Sequence, residues 1–230
     1  GFMRKDEGYV RFFCWMNLFV FAMLVVALAD SLLFLYHGWE GVGFCSYALI
    51  GFWYGDVKKA AAGRKAFAVT RTGDVAFGVA LGFLFALGEP LSLTAFNDHA
   101  ATMAGWGPPL LGALFLWAAV GKSAQLPLSV WLPDAMAGPS PVSALIHSAT
   151  MVTAGVYLLM RLFPVLAMSE AVLFATAAVG AATALLFMVS AGNVWAISIS
   201  VFMVGIGGAL GTVLQTRLMD VARDAQGLAA

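Results

Sequence analysis

Five side chains carry charge or a titratable proton where their neighbours are apolar. They are Glu40 in LYHGWEGVGFCSY, Arg71 and Asp74 in VTRTGDVAFG, Lys122 in LWAAVGKSAQLPLS, and His147 in SALIHSATMV. A carboxylate, an ammonium and an imidazole are groups that take up and release protons. In a poorly hydrated setting the protonation of each is governed by its distance to an opposite charge. Lys122 lies about three turns into its apolar run, too deep to snorkel to water, so it needs a partner, and Glu40 is the natural one. A change in that pairing distance would move a proton. His147, with a reference pKa near neutrality, can relay protons or can simply be hydrogen-bonded in place. Arg71 and Asp74, spaced i, i+3, can neutralise each other on one helix face. Alternatively Asp74 belongs to the acidic side of the Glu40 site. Glu40 itself could instead be a structural carboxyl at a kink near Gly38 and Gly41.

The elements that must hold these groups are helices in lipid. Hydrophobic residues make up 62% of the chain and charged ones only 10%, far from the roughly one-quarter charge of soluble domains. Strand alternation is absent, so the fold class is all-α, a polytopic transmembrane bundle. Apolar runs predict about seven helices, over 11–29, 31–54, 66–88, 109–126, 142–161, 164–189 and 194–214. The segment GDVKKAAAGRK reads as a loop on the cytoplasmic side because of Lys58, Lys59, Arg64 and Lys65, whereas the stretch from Glu89 to Pro108 has no lysine or arginine and reads as external. Zero net charge argues against a nucleic-acid surface. Cys14 and Cys45 lie in apolar runs and read as small buried hydrophobes. The chain opens at Gly1 without a signal-peptide pattern, as an internal piece of a longer protein would.

Pro127 and Pro133 interrupt helical hydrogen bonding just beyond Lys122. At membrane depth such a break is tolerated where the freed backbone meets protein or water. The expectation is a broken helix with a hydrated cavity beside Lys122. Pro139 and Pro141 read as an ordinary loop between helices.

The motifs RFFCWMNLFVFAML, GWEGVGFCSYALIGFWYGD, TRTGDVAFG, VGKSAQLPLSVWLPDAM and GPSPVSALIHSATMVTAGVYLLMR together resemble the antiporter-like membrane-arm subunits of respiratory complex I. The resemblance implies a five-helix unit of an inverted repeat, a general transporter device, carrying the uptake half of a proton channel. Within it Glu40 matches the gating glutamate and Lys122 the lysine on a discontinuous helix. His147 matches the protonatable residue that passes protons sideways, and Arg71 with Asp74 matches a supporting charge pair. It also implies other membrane-arm subunits and the lipid bilayer as partners. NADH, FMN, iron–sulfur clusters and quinone would be bound by partner subunits and none by this chain, which shows neither a Rossmann glycine fingerprint nor a cysteine cluster. The implied location is the bacterial inner membrane, with the mitochondrial inner membrane as the alternative.

Two positions depart from the family's pattern: Ser129 stands where histidine is usual and Ala137 where glutamate is usual. The resemblance covers residues 8–186, so the antiporter-like domain is expected over 1–186, and 187–230 are expected to be of different origin. From Ser198 the tail resembles an efflux permease of the major facilitator superfamily. A second unit would be needed for sustained transport. The rival readings are a cation/proton antiporter or efflux permease working without a reductase, and a nonfunctional truncation or fusion.

Overall fold

A computed structural model describes residues 3–189 apart from Ala101, Ala104 and 147–149. The expected seventh helix over 194–214, the permease-like tail from Ser198 and His147 all lie outside the described residues. Residues Gly1–Leu173 form one unit and Phe174–Ala230 a second.

In the first unit, α1 (Tyr9–Leu28), α2 (Leu32–Ile50), α3 (Val57–Leu87), α4 (Leu93–Ala100), α5 (Gly107–Lys122), α6 (Ser140–Ala144), α7 (Met151–Arg161) and α8 (Phe163–Ala167) follow one another. Two short 3₁₀ turns, Leu128–Trp131 and Asp134–Ala137, lie between α5 and α6, and α9 spans Glu170–Val189. Helix α1 packs on α2, α2 on α3, α3 on α5, and α5 on α7. Helices α1 and α3 are each long and apolar enough to cross a bilayer. Phe21, Leu24, Leu28, Phe34, Phe85 and Trp106 are all more than half exposed. In water such a surface would be an association liability; in a membrane it is the lipid-facing side.

The sequence periodicity explains the packing. Helix α1 buries Phe12, Phe19, Ala22 and Val26, one narrow stripe against α2. The two helices approach so closely that a Cβ on Gly38 would lie 2.9 Å from both the Ala22 carbonyl oxygen and the Val26 nitrogen. Helix α3 buries Thr70, Gly73, Asp74, Phe77, Leu81 and Leu84, a stripe at i, i+3, i+4 spacing. Its start differs from expectation. The lysine-rich segment read as a loop is helix from Val57, because Asp56 caps the N-terminus by accepting a hydrogen bond from the Lys58 N–H at 2.9 Å and the run of alanines favours helix. Gly88, at φ +71°, ends α3, with its own N–H and that of Glu89 returning to the carbonyls of Phe85 and Leu84, a left-handed C-terminal cap. The stretch read as an external loop contains α4.

The two ends of the unit are tied differently. At one, Asp30 accepts from Ser92 Oγ and Thr94 Oγ1, and Arg161 donates to the Ala29 carbonyl at 3.1 Å and to Tyr157, which in turn donates to Ala27. At the other, Lys65 Nζ meets Asp134 Oδ2 at 2.5 Å, with side chains 47% and 42% exposed. Asp6 accepts from the Trp53 indole at 2.9 Å and from the Gly8 N–H at 2.7 Å. Arg11 lies over the rings of Phe52 and Tyr54.

Candidate functional site

The break in the helix comes earlier than the prolines suggest. Helix α5 ends at Lys122, and Ala124 takes a left-handed φ of +49°, a conformation that costs a non-glycine residue about 1 kcal/mol. The turn is stabilised because Gln125 donates its N–H to the Val120 carbonyl at 3.0 Å and the buried Trp131 donates its indole N–H to the Gly121 carbonyl at 3.1 Å. Ser123 Oγ donates to the Val152 carbonyl of α7 at 2.8 Å. The carbonyls freed at the break thus find protein donors. The expected hydrated cavity does not reach Lys122, which is wholly enclosed at 0% exposure. Trp131 has folded back over the break where that cavity was expected. Of the other two prolines, Pro141 lies within the first turn of α6, where its missing N–H costs nothing, so part of the expected loop is helix.

Lys122 is brought to its partner by glycine. A Cβ on Gly121 would sit 3.1 Å from Gly73 Cα, and one on Gly73 would lie 3.2 Å from the backbone of Trp117, Ala118 and Gly121. With no side chain between them, α3 and α5 touch backbone to backbone, and the next residue on each, Asp74 and Lys122, is placed at the seam. Lys122 Nζ donates to Asp74 Oδ2 at 3.1 Å, with side chains 0% and 1% exposed. Trp39 donates its indole N–H to the other carboxylate oxygen at 2.7 Å. The Lys122 ammonium lies 5.5 Å from the centroid of the same ring, within the range of a cation–π contact. A Cβ at Gly43 would fall 2.6 Å from Nζ, so α2 leaves room for the ammonium by having no side chain there.

This overturns the expected Glu40–Lys122 pair. Glu40 instead pairs with Arg71, whose guanidinium also lies over the Phe67 ring. The reason is helical phase. Trp39 and Gly43, four residues apart, share the face of α2 that meets Lys122, and successive residues are about 100° apart around a helix. Glu40 is carried off that face toward α3. Arg71 and Asp74, three apart on α3, diverge likewise: one reaches α2, the other α5. The local Arg71–Asp74 pairing gives way to two interhelical pairs, and of the two readings of Asp74 the structure supports an acidic partner in the buried site. Its ion is Lys122, however, and not a place beside Glu40. Glu40 Oε1 is buried without a hydrogen-bond partner among the described residues. The pair is partly open, with side chains 35% exposed at Arg71 and 22% at Glu40.

The contribution of Trp39 and of the glycines at positions 43, 73 and 121 was not anticipated. A signal exists: each charge of the buried pair follows a glycine, in GD and GK, and Glu40 follows a tryptophan in GWEG. His37 and His99 stay outside the site; His99 is exposed and meets Glu89 at 3.2 Å. Among the described residues no cluster of histidine, cysteine, aspartate and glutamate could hold a metal.

A lipid-facing helical bundle with a lysine–aspartate pair sealed at a helix break defines a polytopic membrane protein. A family model described as NADH:quinone oxidoreductase/Mrp antiporter, TM, matches residues 29–210, and the chain belongs to that family. NADH-quinone oxidoreductase subunit L of Escherichia coli (strain K12) is 54% identical over 188 residues, covering 80% of this chain and 31% of that protein. NAD(P)H-quinone oxidoreductase subunit 5, chloroplastic, of Marchantia polymorpha is 46% identical over 194 residues, covering 81% and 28%. Among solved structures, a chain of the Mrp complex from Dietzia sp. DQ12-45-1b superposes with a TM-score of 0.75 at 30% identity, covering 86% of this chain and 22% of that one. The chain thus spans less than a third of the length of these curated relatives.

Proposed function

We propose that this chain forms the proton-uptake half of a translocation channel in a membrane-arm subunit of a NADH:quinone oxidoreductase, in the inner membrane of a bacterium. NADH, FMN, iron–sulfur clusters and quinone are bound by partner subunits, and other membrane-arm subunits flank this one. The lysine-rich start of α3 faces the cytoplasm, following the charge bias. The observation that carries the reading is the Asp74–Lys122 pair, 3.1 Å long and sealed from solvent, beside a second pair, Glu40–Arg71, that is partly open.

Two adjacent pairs on shared helices support a partner exchange. A proton arriving at Glu40 neutralises the carboxylate and releases Arg71. Arg71 and Asp74 are i, i+3 on α3, so the freed guanidinium turns to Asp74 at little conformational cost. Lys122 then loses the counter-charge that holds its proton and passes it on. His147, on the stretch after α6, is the acceptor the sequence offers, and its reference pKa suits the role. Transfer of the Glu40 proton to the neutral Lys122 amine then restores both the carboxylate and the ammonium, and the two pairs re-form, so that each cycle carries one proton from the Glu40 side to His147.

The test is proton pumping by the assembled membrane complex. Lys122→Ala and Glu40→Gln are expected to lower the pumping rate about tenfold or more, since misplacing one group in a transfer chain costs that much. His147→Ala is expected to slow it. Pumping at the wild-type rate with Lys122→Ala in place would refute the reading.

A further inference from the structure

The two ion pairs are joined through consecutive residues of one helix. Glu40 contacts Arg71, and its neighbour Trp39 contacts Asp74. Helix α2 therefore grips α3 at two points, and each point belongs to a different pair. Trp39 also touches both members of the buried pair, its N–H on the Asp74 carboxylate at 2.7 Å and its ring 5.5 Å from the Lys122 ammonium. The side chain is fully buried and braced by Phe77, whose ring stands nearly perpendicular to it at 5.6 Å and meets Phe115 at 5.4 Å on the other side. The braced indole thus ties the position of α2 to the buried pair, one residue along from the Glu40 contact.

We propose that Trp39 is a positioning residue that couples the two pairs: the state of Glu40–Arg71 is transmitted to Asp74–Lys122 through the indole. Its N–H fixes one carboxylate oxygen while the other faces Nζ, and its ring lies within cation–π range of the same ammonium. When α2 responds to protonation of Glu40, the indole is drawn from Asp74, and the carboxylate becomes free to accept Arg71 as Lys122 is released. The charged and titratable groups around the indole are Glu40 and Tyr36 on α2, Arg71 and Asp74 on α3, and Lys122 on α5. This inference rests on the proton-transfer reading above, but its first test does not require transport.

The full chain is labelled with ¹⁵N-tryptophan in lipid nanodiscs, and the Trp39 indole resonance is assigned from Trp39→Phe. Asp74→Asn is expected to move that resonance, and so are Glu40→Gln and Arg71→Lys, although neither residue touches the indole; Lys5→Gln leaves it in place. If both outer-pair variants leave the resonance unmoved, or if Asp74→Asn does, the coupling is overturned. The second readout is the pH profile of pumping in the assembled complex. Trp39→Phe keeps an aromatic ring, smaller than the indole, and removes the N–H, and is expected to displace the profile by about one pH unit, whereas Trp39→Leu removes both contacts and lowers the rate about tenfold. A profile superimposable on the wild type in Trp39→Phe makes the indole mere packing and overturns the proposal. Wild-type pumping by Lys122→Ala, with the resonance shifts intact, would instead sink the proton-transfer reading and leave the coupling standing.

Discussion

Gly121 of α5 meets Gly73 of α3 backbone to backbone: a methyl group on Gly121 would lie 3.1 Å from Gly73 Cα and 3.3 Å from the Thr70 carbonyl oxygen. The atoms it would strike are main chain in the middle of α3 and cannot give way as a flexible side chain could. Gly121→Ala is therefore expected to push the helices apart and to cost about 1–3 kcal/mol. Thermal unfolding of the purified chain in nanodiscs measures it. Gly82→Ala, in α3, is the control, because open space surrounds that position; it is expected to be neutral or stabilising by up to about 1 kcal/mol through helix propensity.

The sealed pair makes a sharper demand on stability. Lys122→Met leaves the Asp74 charge buried without a counter-ion and is expected to destabilise by about 3–5 kcal/mol. Adding Asp74→Leu removes the stranded charge, so the double variant recovers most of that loss while remaining inactive in pumping. A double-mutant cycle by thermal unfolding checks this, and additive effects of the two substitutions would contradict it.

Gly43 is expected to separate stability from function. Its missing side chain is the space occupied by Lys122 Nζ, only 2.6 Å from where a Cβ would stand. The obstructing atom is the tip of a flexible chain, so Gly43→Ala folds, with the ammonium displaced from Asp74. Pumping by the assembled complex is expected to fall about ten- to a hundredfold, while thermal stability falls less than in Lys122→Met because the counter-charge stays in the pocket.

A pH response outside the membrane follows from Asp6. The Trp53 indole and then the Gly8 N–H donate to its carboxylate and hold its pKa below the ordinary value of 3.8. A group whose folded value is depressed contributes stability above its unfolded value and loses it as pH falls through the folded one. The turn ahead of α1 is expected to stay docked at neutral pH and to release below about pH 3.8. Hydrogen exchange at the Trp53 indole and the Gly8 amide measures this, and Asp6→Asn is expected to abolish the pH dependence.

Much of the bundle was legible because lipid makes polarity so uneven: charges so few must be placed deliberately, and the motifs around Glu40, Asp74 and Lys122 stood out. Partner choice was not legible. It depends on helical phase across three helices, and nothing in one sequence says that Trp39 and Gly43, rather than Glu40, face Lys122. The start of α3 was missed because lysines spaced along a capped helix look the same as lysines in a loop. The break after Lys122 was placed too late because prolines are conspicuous and an alanine in a left-handed turn is not.

The Lys65–Asp134 contact fastens the segment beyond the helix break to α3, and both partners are nearly half exposed. Mobile ions screen such a contact within about 10 Å at ordinary ionic strength but have no access to the charges sealed between α3 and α5. Added salt would therefore loosen the tether at the membrane surface and spare the interior pair, so that titrating salt against pumping separates the movement of the segment from the movement of the proton.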